Sequence, residues 1–221
     1  MINDIKLGFK MLQYSMQYVQ SLVVFAIFIF LAVAMDLFPM PFNSYSGIYY
    51  LFGMVLGVQL IHMLGASNMI QTSPYKKRFQ TSVVALMSLC LELIFVTIMI
   101  MFKVVHYFAF DYMKESVCNM LVCTSIVIII LNLYMTIAMK YFWIGTILFI
   151  VAFWGIHIRF MRINIMLPDA ERVQLVSLPT GILMCYIAIF VGSVFMYWIG
   201  NLLYKKEYSK MAFRHALKQG K

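Results

Sequence analysis

One acid, Glu92, stands alone in the middle of an apolar run from about Thr81 to Phe102. A carboxyl carried to the centre of a bilayer costs at least about 2.5 kcal/mol, so it must face a helix-bundle interior or a water-filled cavity. The polar side chains that could meet it are Gln59 and His62 in the preceding apolar run, Thr97 in its own, and Asn132 in the next. Two readings stand side by side: a pathway or gate residue, or an interhelical hydrogen bond that specifies packing.

A second cluster is basic. Between two apolar runs lie Ser67, Asn68, Gln71, Thr72, Ser73, Pro74, Tyr75, Lys76, Lys77 and Arg78. Ser73 followed by Pro74 predicts a helix start, a hydroxyl N-cap and then proline at the first helical position. A helix beginning there and running through the next apolar stretch has about 29 residues and spans on the order of 43 Å. Its first turns would project beyond a membrane carrying three cations, suited to receive force from a soluble partner. A plain positively charged loop is the simpler alternative. A third group, Arg159, Arg162, Pro168, Asp169, Glu171 and Arg172, falls in the stretch before the last apolar run and predicts an outer gate or a packed lid.

Other chemistries find no residues to carry them. There is no G-x-x-x-x-G-K-[ST], no H-E-x-x-H and no G-x-S-x-G, so neither a phosphate cradle nor a hydrolytic centre is expected. Cys90, Cys118, Cys123 and Cys185 form no C-x-x-C pair, and no metal site is expected. The net charge of +9 does not read as nucleic-acid binding, because the cations lie between and after the apolar runs.

The elements that must position these residues are long and apolar. Of 221 residues, 64% are hydrophobic and 11% charged, against roughly 45–50% and 25% in soluble domains. The expected fold is all-α and membrane-embedded. Ile2, Ile5, Phe9, Leu12, Met16 and Val19 line one helical face, predicting an amphipathic interfacial helix over residues 1–20. Six spans follow, at about 21–38, 48–66, 81–102, 117–138, 141–158 and 179–203, with a basic tail at 205–221. Lys140 is the lone charge in the apolar stretch 117–158 and predicts the turn between spans four and five. On one side of this topology lie Lys6, Lys10, Lys76, Lys77, Arg78, Lys140 and the tail lysines and arginine. The other side holds only Lys103, Lys114, Arg159, Arg162 and Arg172. That asymmetry places both termini in the cytoplasm of a cell-membrane protein. Gly53 and Gly57 form a GxxxG, a weak signal for a dimer face.

This layout resembles the membrane subunits of ABC-type-2 exporters. The likeness rests on the amphipathic helix before the first span, Ser73-Pro74-Tyr75-Lys76-Lys77-Arg78 between spans two and three, the hairpin between spans five and six, and the closing Leu202-Leu203-Tyr204-Lys205-Lys206-Glu207-Tyr208. The resemblance implies two six-helix subunits paired as a homodimer. Each would bind a separate cytoplasmic ATPase that holds ATP and magnesium, with no cofactor on this chain. It implies that Ser67 to Arg78 sits on that ATPase, and that the cargo is an apolar or amphipathic peptide, antimicrobial or lipid. The chain departs from the family where a Leu-Pro pair and a later lysine are common, having Ser73-Pro74 and Gln80 instead. A six-helix substrate-binding subunit of a vitamin importer, or a non-transport sensor or assembly protein, are the competing readings.

Overall fold

The structure, a computed structural model, describes residues 2–12, 18–37, 46–66, 68–161, 174–207 and 209. Among these every regular element is a helix and none is a strand. Helix α1 spans Ile2–Leu12, α2 Tyr18–Leu37 and α3 Ser46–Ala66. A single turn, α4 (Asn68–Gln71), leads to the long α5, continuous from Lys76 to Ala109. A 3-10 turn at Asp111–Met113 opens α6 (Lys114–Ala138), and α7 (Phe142–Met161) and α8 (Leu178–Leu203) complete the bundle.

Helices α5, α6 with its opening 3-10 turn, and α8 are long and apolar enough to cross a membrane, at 34, 28 and 26 residues. Shorter apolar stretches occupy α2 (Leu22–Leu37), α3 (Tyr49–Met63) and α7 (Phe142–Ile156). The core forms where α3, α5, α6 and α8 meet, with α2 packed on α3 and α7 on α6. Its residues are large and wholly covered, among them Tyr50, Met87, Met99, Leu121, Ile128 and Ile189. On α7 the opposite is true: Trp143, Ile144, Leu148, Val151 and Trp154 are exposed, as expected of a helix whose outer face meets lipid.

Several boundaries differ from the sequence expectation. Helix α1 is described over Ile2–Leu12; of the rest of the predicted stripe, Met16 lies outside the described residues and Val19 falls in α2. Among the described side chains of α1, Asp4 and Gly8 are buried, Ile5, Leu7 and Met11 are half-buried against the core, and Phe9 is half exposed. The helix approaches the bundle most closely at Gly8, where an added Cβ would come within 2.8 Å of Met87. Helix α5 starts at Lys76, not Pro74, because Ser73 and Pro74 are used in a turn. Ser73 Oγ accepts from the Tyr75 amide at 3.1 Å and the Ser73 carbonyl accepts from the Lys76 amide at 3.1 Å. At its other end α5 runs on to Ala109, which takes Lys103 out of the expected loop and into the helix. The turn around Lys140 occupies Met139–Tyr141. It is tight enough to require glycine after it, since a Cβ on Gly145 would sit 2.8 Å from the Ala138 backbone.

The GxxxG face is spent inside the chain. A Cβ on Gly53 would strike Ile29 of α2 at 2.8 Å and one on Gly57 would strike Leu91 of α5 at 2.9 Å. Those glycines let three helices approach, and they do not offer a free dimer surface.

Candidate functional site

One end of the bundle gathers the basic residues. Arg78 pairs with Asp4, fastening α1 to the start of α5. Lys77 stands over the Tyr204 ring at 5.0 Å, tying α5 to the end of α8. Lys140 Nζ, at the α6–α7 turn, donates to Gln80 Oε1 at 2.9 Å and to the Lys206 carbonyl at 2.8 Å. A cation on carbonyls just past a helix C-terminus is favoured by the helix dipole. The Ser209 amide adds a bond to the Met139 carbonyl at 2.9 Å. Burial first, and then the neighbouring Lys76, bring the Lys140 ammonium down to about 8.

Residues of the predicted coupling segment take different roles at this end. Gln71 Nε2 donates to the Gly65 carbonyl at 2.6 Å and so braces the turn after α3. Tyr75 and Lys77 are exposed, Thr72 and Pro74 are exposed beside them, and Lys76 is partly covered. Ser67 lies outside the described residues, and of Asn68 only its place in α4 is described. Immediately after Arg78 the helix widens into a π-helical turn, Phe79–Val83. Such turns are frequent at functional positions. Thr81 Oγ1 and Ser82 Oγ there return bonds to the Lys77 and Arg78 carbonyls.

The middle of the bundle holds the lone acid. Glu92 is 5% exposed and lies midway along α5. Ser88, one turn earlier, places its Oγ 2.9 Å from Glu92 Oε1 and 3.2 Å from Asn132 Oδ1 of α6. Asn132 Nδ2 donates to the Ile128 carbonyl at 3.1 Å, and Thr136 Oγ1 donates to the Asn132 carbonyl at 2.8 Å. Gly192 of α8 makes the room, since a Cβ there would meet Asn132 Nδ2 at 2.5 Å. Beside this trio lies a cavity of about 10 Å³ lined by Leu51, Val55, Val58, Glu92, Ile128, Leu131, Asn132 and Met135, room for a single water.

The other predicted pathway residues are not in that trio. Thr97 pairs with the Tyr186 hydroxyl of α8 at 3.1 Å. Gln59 is half buried on α3 and lines neither small cavity. His62 is buried one turn nearer the basic end, in a second cavity of about 10 Å³ with Gln80, Thr136, Met139, Lys140, Gly200 and Leu203. Of the predicted outer gate, Arg162, Asp169, Glu171 and Arg172 lie outside the described residues, and Arg159 is described only as part of α7.

One polar cluster escaped the sequence reading. At the end opposite the basic residues, Lys103 Nζ of α5 donates to Asp36 Oδ1 of α2 at 2.7 Å, with side chains 1% and 0% exposed. His106, one turn on, contacts the Asp36 carbonyl oxygen through Nε2 at 2.9 Å. The signal was available in part: Lys103 and His106 are three apart and share a helix face. Among the described residues no group of three or more His, Cys, Asp or Glu could hold a metal ion. Over the described residues the arrangement is all-α, with three helices of membrane-crossing length and basic residues gathered at one end. No family model, curated protein or solved structure matches it.

Proposed function

We propose that this chain is a six-span permease subunit of an ATP-driven exporter, docking on a separate ATPase through its basic end, with both termini in the cytoplasm. The observation that carries the reading is the continuity of α5 from Lys76 to Ala109. At 34 residues it reaches about 50 Å, well beyond a hydrocarbon core of about 30 Å. Its tip, which carries Lys76, Lys77 and Arg78, is bound to α1, to the α6–α7 turn and to α8 by the contacts above. A push on that tip is felt by four helices together. Exposed Tyr75 and Lys77 are the groups a partner would touch first.

Among the described residues the spans offer an occupant few polar side chains and one acid without a cation beside it, Glu92, which suits an apolar or amphipathic cargo. The experiment is purification of the intact complex after mild detergent extraction. A nucleotide-binding chain should co-purify in equal proportion, and Lys76→Glu with Lys77→Glu should abolish substrate-stimulated ATP hydrolysis while leaving the permease folded. A complex that contains no such chain overturns the proposal.

A further inference from the structure

We propose that Glu92 is a proton-binding site reached from the basic end of the bundle and closed towards the opposite end. The inference needs the chain to lie in a membrane but is independent of any ATPase.

Proton counting carries the first step. The Ser88 hydroxyl has one proton and lies within hydrogen-bond distance of two acceptors, Glu92 Oε1 and Asn132 Oδ1. It can donate to only one of them. An ionised Glu92 takes that proton at 2.9 Å and leaves the Asn132 oxygen, at 3.2 Å, without a donor. A protonated carboxyl donates to Ser88 Oγ instead and frees the hydroxyl for Asn132. The resulting chain runs from Glu92 O–H to Ser88, from Ser88 to Asn132, and from Asn132 Nδ2 to the Ile128 carbonyl. Every donor in it has an acceptor. Glu92 Oε2 is buried without a partner among the described residues, and Glu92 is the sole titratable residue lining the cavity beside it.

Access comes from one side. The cavity at Glu92 and the cavity at His62 are one turn apart on two helices at once, as Val58 and His62 on α3 and as Asn132 and Thr136 on α6. That separation is about 5 Å. Met135 lines the first cavity and Met139 the second, unbranched side chains that swing aside with little strain. In the lower cavity His62 Nδ1, His62 Nε2 and Gln80 Nε2 are buried with no partner among the described residues. The same cavity is lined by Lys140 at the basic surface. His62 can take a proton on one ring nitrogen and release it from the other.

Towards the opposite end the buried positions of α5 are Phe95, Val96, Met99 and Ile100, all apolar, before Lys103 is reached. Asp36 of α2 lies there with Lys103, about three turns from Glu92. On the remaining neighbours, α1 has Asp4 held by Arg78 and Lys6 and Lys10 at exposed positions, and α8 has no charged residue. The exchange step is balanced: the carboxyl passes its proton to water in its cavity, giving carboxylate and hydronium, and His62 carries the proton between the hydronium and the basic surface.

The test uses the full chain in lipid vesicles, with insertion verified by resistance to carbonate extraction. Infrared difference spectra should show a protonated-carboxyl stretch that shifts in heavy water and vanishes in Glu92→Gln. After a pH jump applied from the basic side the band should respond, and His62→Phe should slow it by roughly tenfold or more. The same jump from the other side should do nothing. A wild-type spectrum with no such band at any pH where the protein is folded overturns the proposal, as does an equal response from both sides. The two-sided jump on wild type decides the matter even if His62→Phe does not fold. A chain that fails to resist extraction refutes the membrane reading itself, a separate readout.

Discussion

Among the described residues three carboxylates are buried; Asp4 lies at the basic end with Arg78, and the two deeper ones are managed in opposite ways. Asp36 meets a full cation, Lys103, at 2.7 Å, so charge is cancelled by charge. Glu92 meets a hydroxyl, which in turn reaches an amide, and no cation. A buried pair recovers much of its desolvation cost only while both partners stay. A carboxyl among neutral dipoles avoids that cost by keeping its proton. The first arrangement is a clamp between α2 and α5, and the second is a site whose charge can change.

The sharpest way to break the comparison is to remove one partner at a time. Lys103→Met leaves a buried carboxylate without its cation and should destabilise the protein by about 3–5 kcal/mol, read from thermal unfolding in micelles. Pairing it with Asp36→Asn should recover most of that loss. Glu92→Gln, which keeps a donor and an acceptor in the same shape, should cost no more than about 1 kcal/mol. Were Glu92→Gln as damaging as Asp36→Asn alone, the two acids would be alike and the distinction would fall.

The Asp36–Lys103 pair was beyond the reach of sequence. Its members are 67 positions apart, and Lys103 sits where the third apolar run ends, so hydropathy assigned it to a loop. Only the packing of α2 and α5 brings the two together. The apolar runs, by contrast, were plain from composition, because helices facing lipid leave long uninterrupted stretches. Glu92 with Asn132 was legible as two polar residues in neighbouring runs. Ser88 was not, although it stands one turn before Glu92 and so on the same face. On α1 periodicity finds an apolar face but cannot show that Asp4 has Arg78 to meet.

The two remaining predictions sharpen the contrast at the basic end, where charge is only partly covered. Lys140 is held near 8 by burial in the folded protein, against 10.5 when free. Between those values the unfolded chain binds more protons, so stability should climb as pH rises from about 8 to 10.5. Chemical denaturation at a series of pH values should show that slope, flattened in Lys140→Met. The smallest effect is expected at Asp4–Arg78, where the Arg78 side chain is 43% exposed. Asp4→Asn should cost roughly 0.2–1 kcal/mol, and less in high salt.

The π-helical turn at Phe79–Val83 has a geometric consequence for this end. One surplus residue in a turn rotates everything before it by about 100° relative to a regular helix. Lys76, Lys77 and Arg78 therefore point where they do because the shaft below them is out of phase with its own tip. Deleting a single residue from that turn would leave the shaft and its buried acid in place. The tip would swing about a quarter revolution, parting Arg78 from Asp4 and Lys77 from Tyr204.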